Sequence, residues 1–181
     1  ISASFDCSKA TTTIEKEICS NAELSYLDEV LSSNYKYNSS LFTKWNEKEA
    51  LVNNQREWLE NRNKCILTNK LGICLEKSYK ERIAKLKSYQ DNYNSMSREY
   101  ETNYTNSKAD LSIKPLGNNT YMVLGNALYG TNREFGPNIG TVNFIAELKS
   151  NKLKFKYKHS DYLLTISVYK DKLEVFEKHI G

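Results

Sequence analysis

Few side chains here have the type and spacing that covalent chemistry needs. A serine, threonine or cysteine nucleophile needs a base beside it, in most cases a histidine. The chain has two histidines, His159 and His179, each among lysines near the end of an expected strand. Their reading is solvated surface histidine. There is no Gly-x-Ser-x-Gly elbow, no phosphate-binding glycine loop and no His-Glu-x-x-His. Paired carboxylates would suit glycoside hydrolysis. Glu57 and Glu60 stand three apart on an expected helix, and Asp6 and Glu15 are less regularly placed. Such spacing is what exposed helices paired with Lys and Arg ordinarily show. The reading is therefore not an enzyme, with no cofactor and no metal site.

The four cysteines are the strongest chemical signal. Cys7, Cys19, Cys65 and Cys74 are even in number and confined to the first 74 residues. Their intervals hold 11, 45 and 8 residues, whereas zinc sites use tight Cys-x2-4-Cys pairs. Two disulfides are expected, which implies an oxidising compartment. An antiparallel hairpin of the second and third helices would bring Cys19 near Cys65 and leave Cys7 for Cys74. The alternative is Cys7 with Cys19 and Cys65 with Cys74.

Three further groups are candidates for recognition. Gln55, Trp58 and Arg62 share one helix face, read as a core tryptophan with a polar cluster that locks helix to helix. Trp58 is expected to be a core anchor whose loss costs about 3–5 kcal/mol. Lys152, Lys154, Lys156 and Lys158 alternate along one strand, so they share a face. They form either an edge guarded by lysines or an anion-binding stripe for acidic polymers or an acidic protein. Finally, Gly125–Gly140 holds four of the seven glycines. It reads as the main irregular loop, with Tyr129, Asn132, Arg133 and Phe135 as aromatic, amide and guanidinium contacts.

These groups need elements to hold them. Thr12 or Thr13 can cap a short helix through Cys19, and Asn21 a second helix with Leu24, Leu27, Leu31 and Tyr35 on one face. Asn46 is placed to cap a third helix. Gly72 reads as a break. Leu75, Tyr79, Arg82, Ile83 and Leu86 then mark a fourth helix that runs to about Tyr93. The polar stretch 94–109 reads as a linker. Beyond it the period becomes two. Leu111–Lys114 and Tyr121–Leu124 flank a Gly117-Asn118-Asn119 turn. Alternating runs around Val142–Leu148, Leu153–Tyr157, Tyr162–Val168 and Leu173–Glu177 are separated by turns at Ser150-Asn151 and Lys170-Asp171-Lys172. This predicts an antiparallel meander with one wet face. The fold class is α+β: a disulfide-bonded helical domain over 1–93, then a small antiparallel β-domain over 110–181.

Composition agrees with a folded protein, at 39% hydrophobic and 27% charged residues. The net charge is +4, without the strong basic bias of a nucleic-acid binder. No apolar run approaches the roughly 18–20 residues of a membrane span. The chain opens on Ile1 rather than Met, as expected of a mature product after removal of a signal peptide.

Phe5-Asp6-Cys7, Thr13, Glu15, Ile18-Cys19, Asn21, Glu23-Leu24 and Leu27-Asp28 stand in order. Gln55-Arg56, Trp58-Leu59, Arg62, Cys65, Cys74-Leu75, Tyr79, Arg82-Ile83 and Leu86 follow. This pattern resembles the LprI family of bacterial lysozyme inhibitors over about residues 4–87. Gly125–Gly130 and Pro137–Gly140 resemble, less specifically, a β-domain appended in periplasmic proteins. The resemblance implies an exported, mainly helical protein, periplasmic or extracellular, whose partner is a lysozyme or another wall hydrolase. Animal lysozymes are typically basic, so an acidic patch from Asp28, Glu29, Glu47 and Glu49 could complement one. Alternatives are an immunity protein against a secreted antibacterial toxin and a structural envelope module that binds polymers.

Overall fold

A computed structural model of the protein describes residues 2–104, 107–129, 138–157 and 161–180. Four helices come first: α1 Thr13–Ser20, α2 Ala22–Leu41, α3 Trp45–Asn63 and α4 Leu71–Asn92. Seven strands follow: β1 Arg98–Tyr104, β2 Ser107–Pro115, β3 Thr120–Tyr129, β4 Asn138–Glu147, β5 Lys152–Lys156, β6 Tyr162–Val168 and β7 Leu173–His179. The fold is α+β. The chain divides into two compact units, 1–43 with 55–91, and 44–54 with 92–181. The first part of α3 thus groups with the strands and the remainder with the other helices.

In the helical unit, Thr12 caps α1 through a complete capping box. Its hydroxyl accepts from the Glu15 amide at 3.1 Å, and the Glu15 carboxylate accepts from the Thr11 and Thr12 amides, each at 2.9 Å. Asn21 caps α2 by accepting from the Glu23 and Leu24 amides. Leu24, Leu27 and Leu31 of α2 are buried, as are Leu75, Tyr79, Ile83, Leu86 and Tyr89 of α4. This is the face that the spacing marked. Gly72 does not break the chain, because it lies in the first turn of α4. A Cβ there would meet the Glu17 carboxylate at 2.8 Å, so a side chain at this position would require the Glu17 side chain to shift. Asn46 does not precede α3 but sits within its first turn, where its side chain accepts from the Glu47 amide.

The disulfides join Cys7 to Cys19 and Cys65 to Cys74. The pairing expected from a helix hairpin is corrected. Each bridge is local: one ties the turn before α1 to the end of α1, and the other ties the turn after α3 to the start of α4.

In the other unit, β1-β2-β3-β4 form one antiparallel sheet and β5-β6-β7 a second. The stretch 94–109, expected as a linker, contains β1 and the start of β2, because its Asn- and Thr-rich sequence pairs residue for residue with β2 from Arg98–Ile113 to Tyr104–Ser107. Likewise Gly125–Tyr129 and Asn138–Gly140 are strand, not loop. Ile113, Val123 and Phe144 of the first sheet meet Leu153, Leu164 and Ile166 of the second, and Phe144 stacks on Phe155 at 4.8 Å. The three expected turns exist, Lys170-Asp171-Lys172 joining β6 to β7. Gly117, Asn118 and Asn119 have positive φ, as do Ser150 and Asn151, the conformation that Gly and Asn tolerate best.

One expectation for this half needs revision. The four-stranded sheet does not have a simple wet face, since neighbours of opposite orientation are both buried: Met122 beside Val123, and Asn143 and Ile145 beside Phe144. The segment 44–54 accounts for the second buried face. Asn53 and Asn54 donate to the Asn143 and Ile145 carbonyls of β4, one of the two edge strands, and Asn143 donates to Glu49 at 2.5 Å. An edge that could recruit another chain is covered.

Two outcomes follow. A non-reducing proteolytic digest should yield Cys7–Cys19 and Cys65–Cys74 peptides, and a Cys19–Cys65 peptide would contradict the fold. The amide bonds from Thr12 and Thr11 hold the Glu15 carboxyl at about 2 instead of 4.5. A lowered folded value means stability present above pH 4.5 and lost as pH falls through about 2. Glu15→Gln should flatten that part of an acid-unfolding curve, and an NMR titration placing the carboxyl midpoint near 4.5 would refute the capping geometry.

Candidate functional site

The helical unit is organised around one buried carboxylate. Asp28, on the inner face of α2, is 7% exposed. Its Oδ2 accepts from the Ser4 amide at 2.8 Å and the Ser4 hydroxyl at 2.6 Å, and its Oδ1 accepts from the Tyr79 hydroxyl at 2.8 Å. The same Tyr79 oxygen accepts from Arg62 Nη1 at 3.0 Å. A negative charge on α2 is thus linked through a phenol on α4 to a positive charge on α3. Burial pushes the Tyr79 hydroxyl well above its ordinary range, outweighing the nearby Arg62 charge. It therefore remains a protonated donor.

Trp58 lies beside this chain of bonds. It is half-buried, so the core anchor expected at this position is only partly enclosed, and Tyr79 beside it is fully buried. Trp58 packs edge-on to Tyr79 at 5.3 Å and donates to the Ser78 carbonyl at 3.4 Å, with the Arg62 and Arg82 guanidiniums 5.3 and 6.0 Å from its ring. The indole is a spacer between two cations. Arg82 is itself buried and donates twice to Gln55 Oε1, at 3.0 and 2.8 Å. The Gln55–Trp58–Arg62 face is therefore a structural lock between helices, as its spacing suggested.

The expected acidic patch is only partly at the surface. Glu29 and Glu49 are exposed, whereas Asp28 and Glu47 are turned inward. Glu47 is 2% exposed, accepts from the Tyr93 hydroxyl at 3.0 Å and faces Lys114 at 3.9 Å. Of the lysine row, Lys152, Lys154 and Lys156 are exposed along β5, and Lys158 lies outside the described residues. Tyr129 ends β3, while Asn132, Arg133 and Phe135 lie outside the described residues. His179 is exposed on β7 with its ring 5.2 Å from Tyr162, and His159 lies outside the described residues. Glu57 and Glu60 are exposed. Among the described residues no group of three or more His, Cys, Asp or Glu could hold a metal ion, and no helix is long and apolar enough to cross a membrane.

Two features went unread in the spacing. In the β-unit a groove of about 810 Å³ opens between the sheets, lined among others by Glu99, Glu101, Asp110, Asp171 and Glu177. These residues lie far apart in the chain, and only strand register collects them. In the helical unit the segment closed by Cys65–Cys74 projects apolar groups: Leu67 is 83% exposed, Ile73 64% and Ile66 52%. Three exposed aliphatics in ten residues do resemble a surface made for contact, a signal present in the sequence but masked there by the helical periodicity on either side.

A helical unit stapled by two disulfides and locked by buried polar bonds is thus followed by an antiparallel β-unit. Residues 6–86 match the family model described as Lysozyme inhibitor LprI, so the helical portion of the chain is similar to that family. No curated protein and no solved structure matches the chain.

Removing the Tyr79 hydroxyl strands a buried carboxylate. Tyr79→Phe should cost about 1–3 kcal/mol, read from denaturant midpoints; no measurable loss would mean that Asp28 is solvated. Trp58→Ala should cost about 2 kcal/mol, less than a fully enclosed tryptophan, because the half-exposed ring removes less area from water.

Proposed function

We propose that the protein works outside the cytosol, in the periplasm or beyond the cell, and blocks a lysozyme or another wall-degrading hydrolase by direct protein contact. The match of residues 6–86 to the lysozyme-inhibitor family carries this reading. Two disulfides close to their helices suit an oxidising compartment. Blocking by contact needs only a rigid, complementary surface, and the buried Asp28–Tyr79–Arg62 bonds favour rigidity.

The mode of contact is constrained by charge. Asp28 and Glu47 are committed to internal partners and Glu49 accepts from Asn143, which leaves an acidic patch against a basic enzyme little to rest on in either unit. Attraction of that kind weakens as the Debye length falls from about 10 Å at 0.1 M salt to about 3 Å at 1 M. Contact through apolar groups is weakly screened.

Purified protein titrated against a panel of lysozymes should inhibit one of them with one-to-one stoichiometry, unchanged by a chelator and largely retained at 1 M salt. A panel left fully active at a large molar excess of the protein would remove the inhibitor reading.

A further inference from the structure

The segment from Cys65 to Cys74 is built differently from the rest of the helical surface. The bridge brings its ends to a Cα separation of 5.6 Å, so Ile66 and Ile73, each next to a bridged cysteine, flank one base. Cys65 is buried, whereas Ile66 through Lys70 are all exposed, with Leu67 at the tip. The turn is closed internally: the Thr68 amide and hydroxyl donate to the Cys65 carbonyl at 3.0 and 2.8 Å, and the Cys74 amide donates to the Lys70 carbonyl at 3.0 Å. Its base is fixed again by Arg62, whose guanidinium donates to Tyr79 and to Asn63. An apolar tip held this firmly loses little conformational entropy on docking.

Its own sequence is one-sided in charge, while the Glu17 carboxylate of α1 lies beside Gly72. Between Glu60 and Glu76 the sequence has no acid, and it carries Arg62, Lys64 and Lys70. Exposed aliphatic groups flanked by cations complement a cleft that is concave, partly apolar and acidic. Glycoside hydrolases that work through two carboxylates have such a cleft by chemical necessity, even where their overall charge is positive.

We infer that the disulfide-closed 65–74 loop is the docking element of this protein, and that Leu67 enters the carboxylate-bearing cleft of the partner with Lys64 and Lys70 facing its acids. The inference rests on the reading of the chain as a hydrolase blocker and names the surface that does the blocking. It also removes an objection of charge. A chain of net +4 needs no acidic patch to bind a basic enzyme if contact is made at that enzyme's acidic cleft.

The test uses the full chain and three variants, Leu67→Asp, Lys70→Glu and, on the exposed surface of α2, Tyr37→Asp. All three positions are exposed, so circular dichroism and melting should match the parent. Inhibition of the most sensitive lysozyme in the panel should weaken by about tenfold or more for Leu67→Asp, in smaller measure for Lys70→Glu, and not for Tyr37→Asp. Full inhibition by Leu67→Asp would overturn the loop assignment and leave the blocker reading standing. An unmodified protein that inhibits nothing would withdraw both. Sedimentation with vesicles of phosphatidylglycerol and phosphatidylethanolamine provides the last arm. No sedimentation is expected, and vesicle binding lost in Leu67→Asp would assign the loop to a membrane surface and overturn the cleft.

Discussion

A carboxylate removed from water sets the terms for the helical unit. Asp28 would be costly to bury alone, and its position is sustained because Ser4 and Tyr79 together satisfy both oxygens. That requirement fixes three separate pieces of chain: the N-terminal segment through Ser4, α2 through Asp28 and α4 through Tyr79. Tyr79 also accepts from Arg62 while it donates to Asp28, which brings in the end of α3. Apolar burial supplies most of the stability, but it is non-directional. The polar bonds select one arrangement of helices.

The β-unit meets an analogous constraint in a different way. Its outer strand β4 is buried on both sides around Asn143, Phe144 and Ile145. Strands of a simple two-layer sandwich would leave the second side wet. Here the Lys44–Asn54 segment supplies amide donors for two β4 carbonyls, and Glu47 and Glu49 receive Tyr93 and Asn143. One helix thus contributes to both cores, its first residues to the sheet and its later ones to the Trp58 and Arg62 lock.

This sharing explains what the sequence made legible and what it did not. Leu24, Leu27 and Leu31, and Leu75, Tyr79 and Ile83, recur with helical period because each faces a single core, and such patterns are readable. The turns at Asn118-Asn119 and Ser150-Asn151 were equally plain, since few residue types accept positive φ. By contrast, 94–109 is polar and without strong alternation. It is strand because β2 pairs with it, a non-local cause that no window of sequence contains. The same holds for Asp28 and Glu47, which composition places at the surface and which are buried because a phenol and an amine or amide donor reach them from elsewhere. Of the two disulfide pairings left open, the local one forms instead of the helix-hairpin one, because each cysteine has a partner across a single turn.

The arrangement of the helical unit bears on recognition. Arg62 stands at the junction, bonded inward to Tyr79 and followed after two residues by the buried Cys65. The exposed 65–74 turn therefore begins from a point fixed by the Asp28 bonds on one side and by the bridge to α4 on the other. Rigidity generated by a buried charge is transmitted, over three residues of chain, to apolar groups held out in water. Burying those groups against water alone would favour their collapse onto the helices. They stand exposed on a short segment cross-linked between Cys65 and Cys74. A surface that costs solvation in the free protein and little entropy in a complex is one for which association is the favourable outcome.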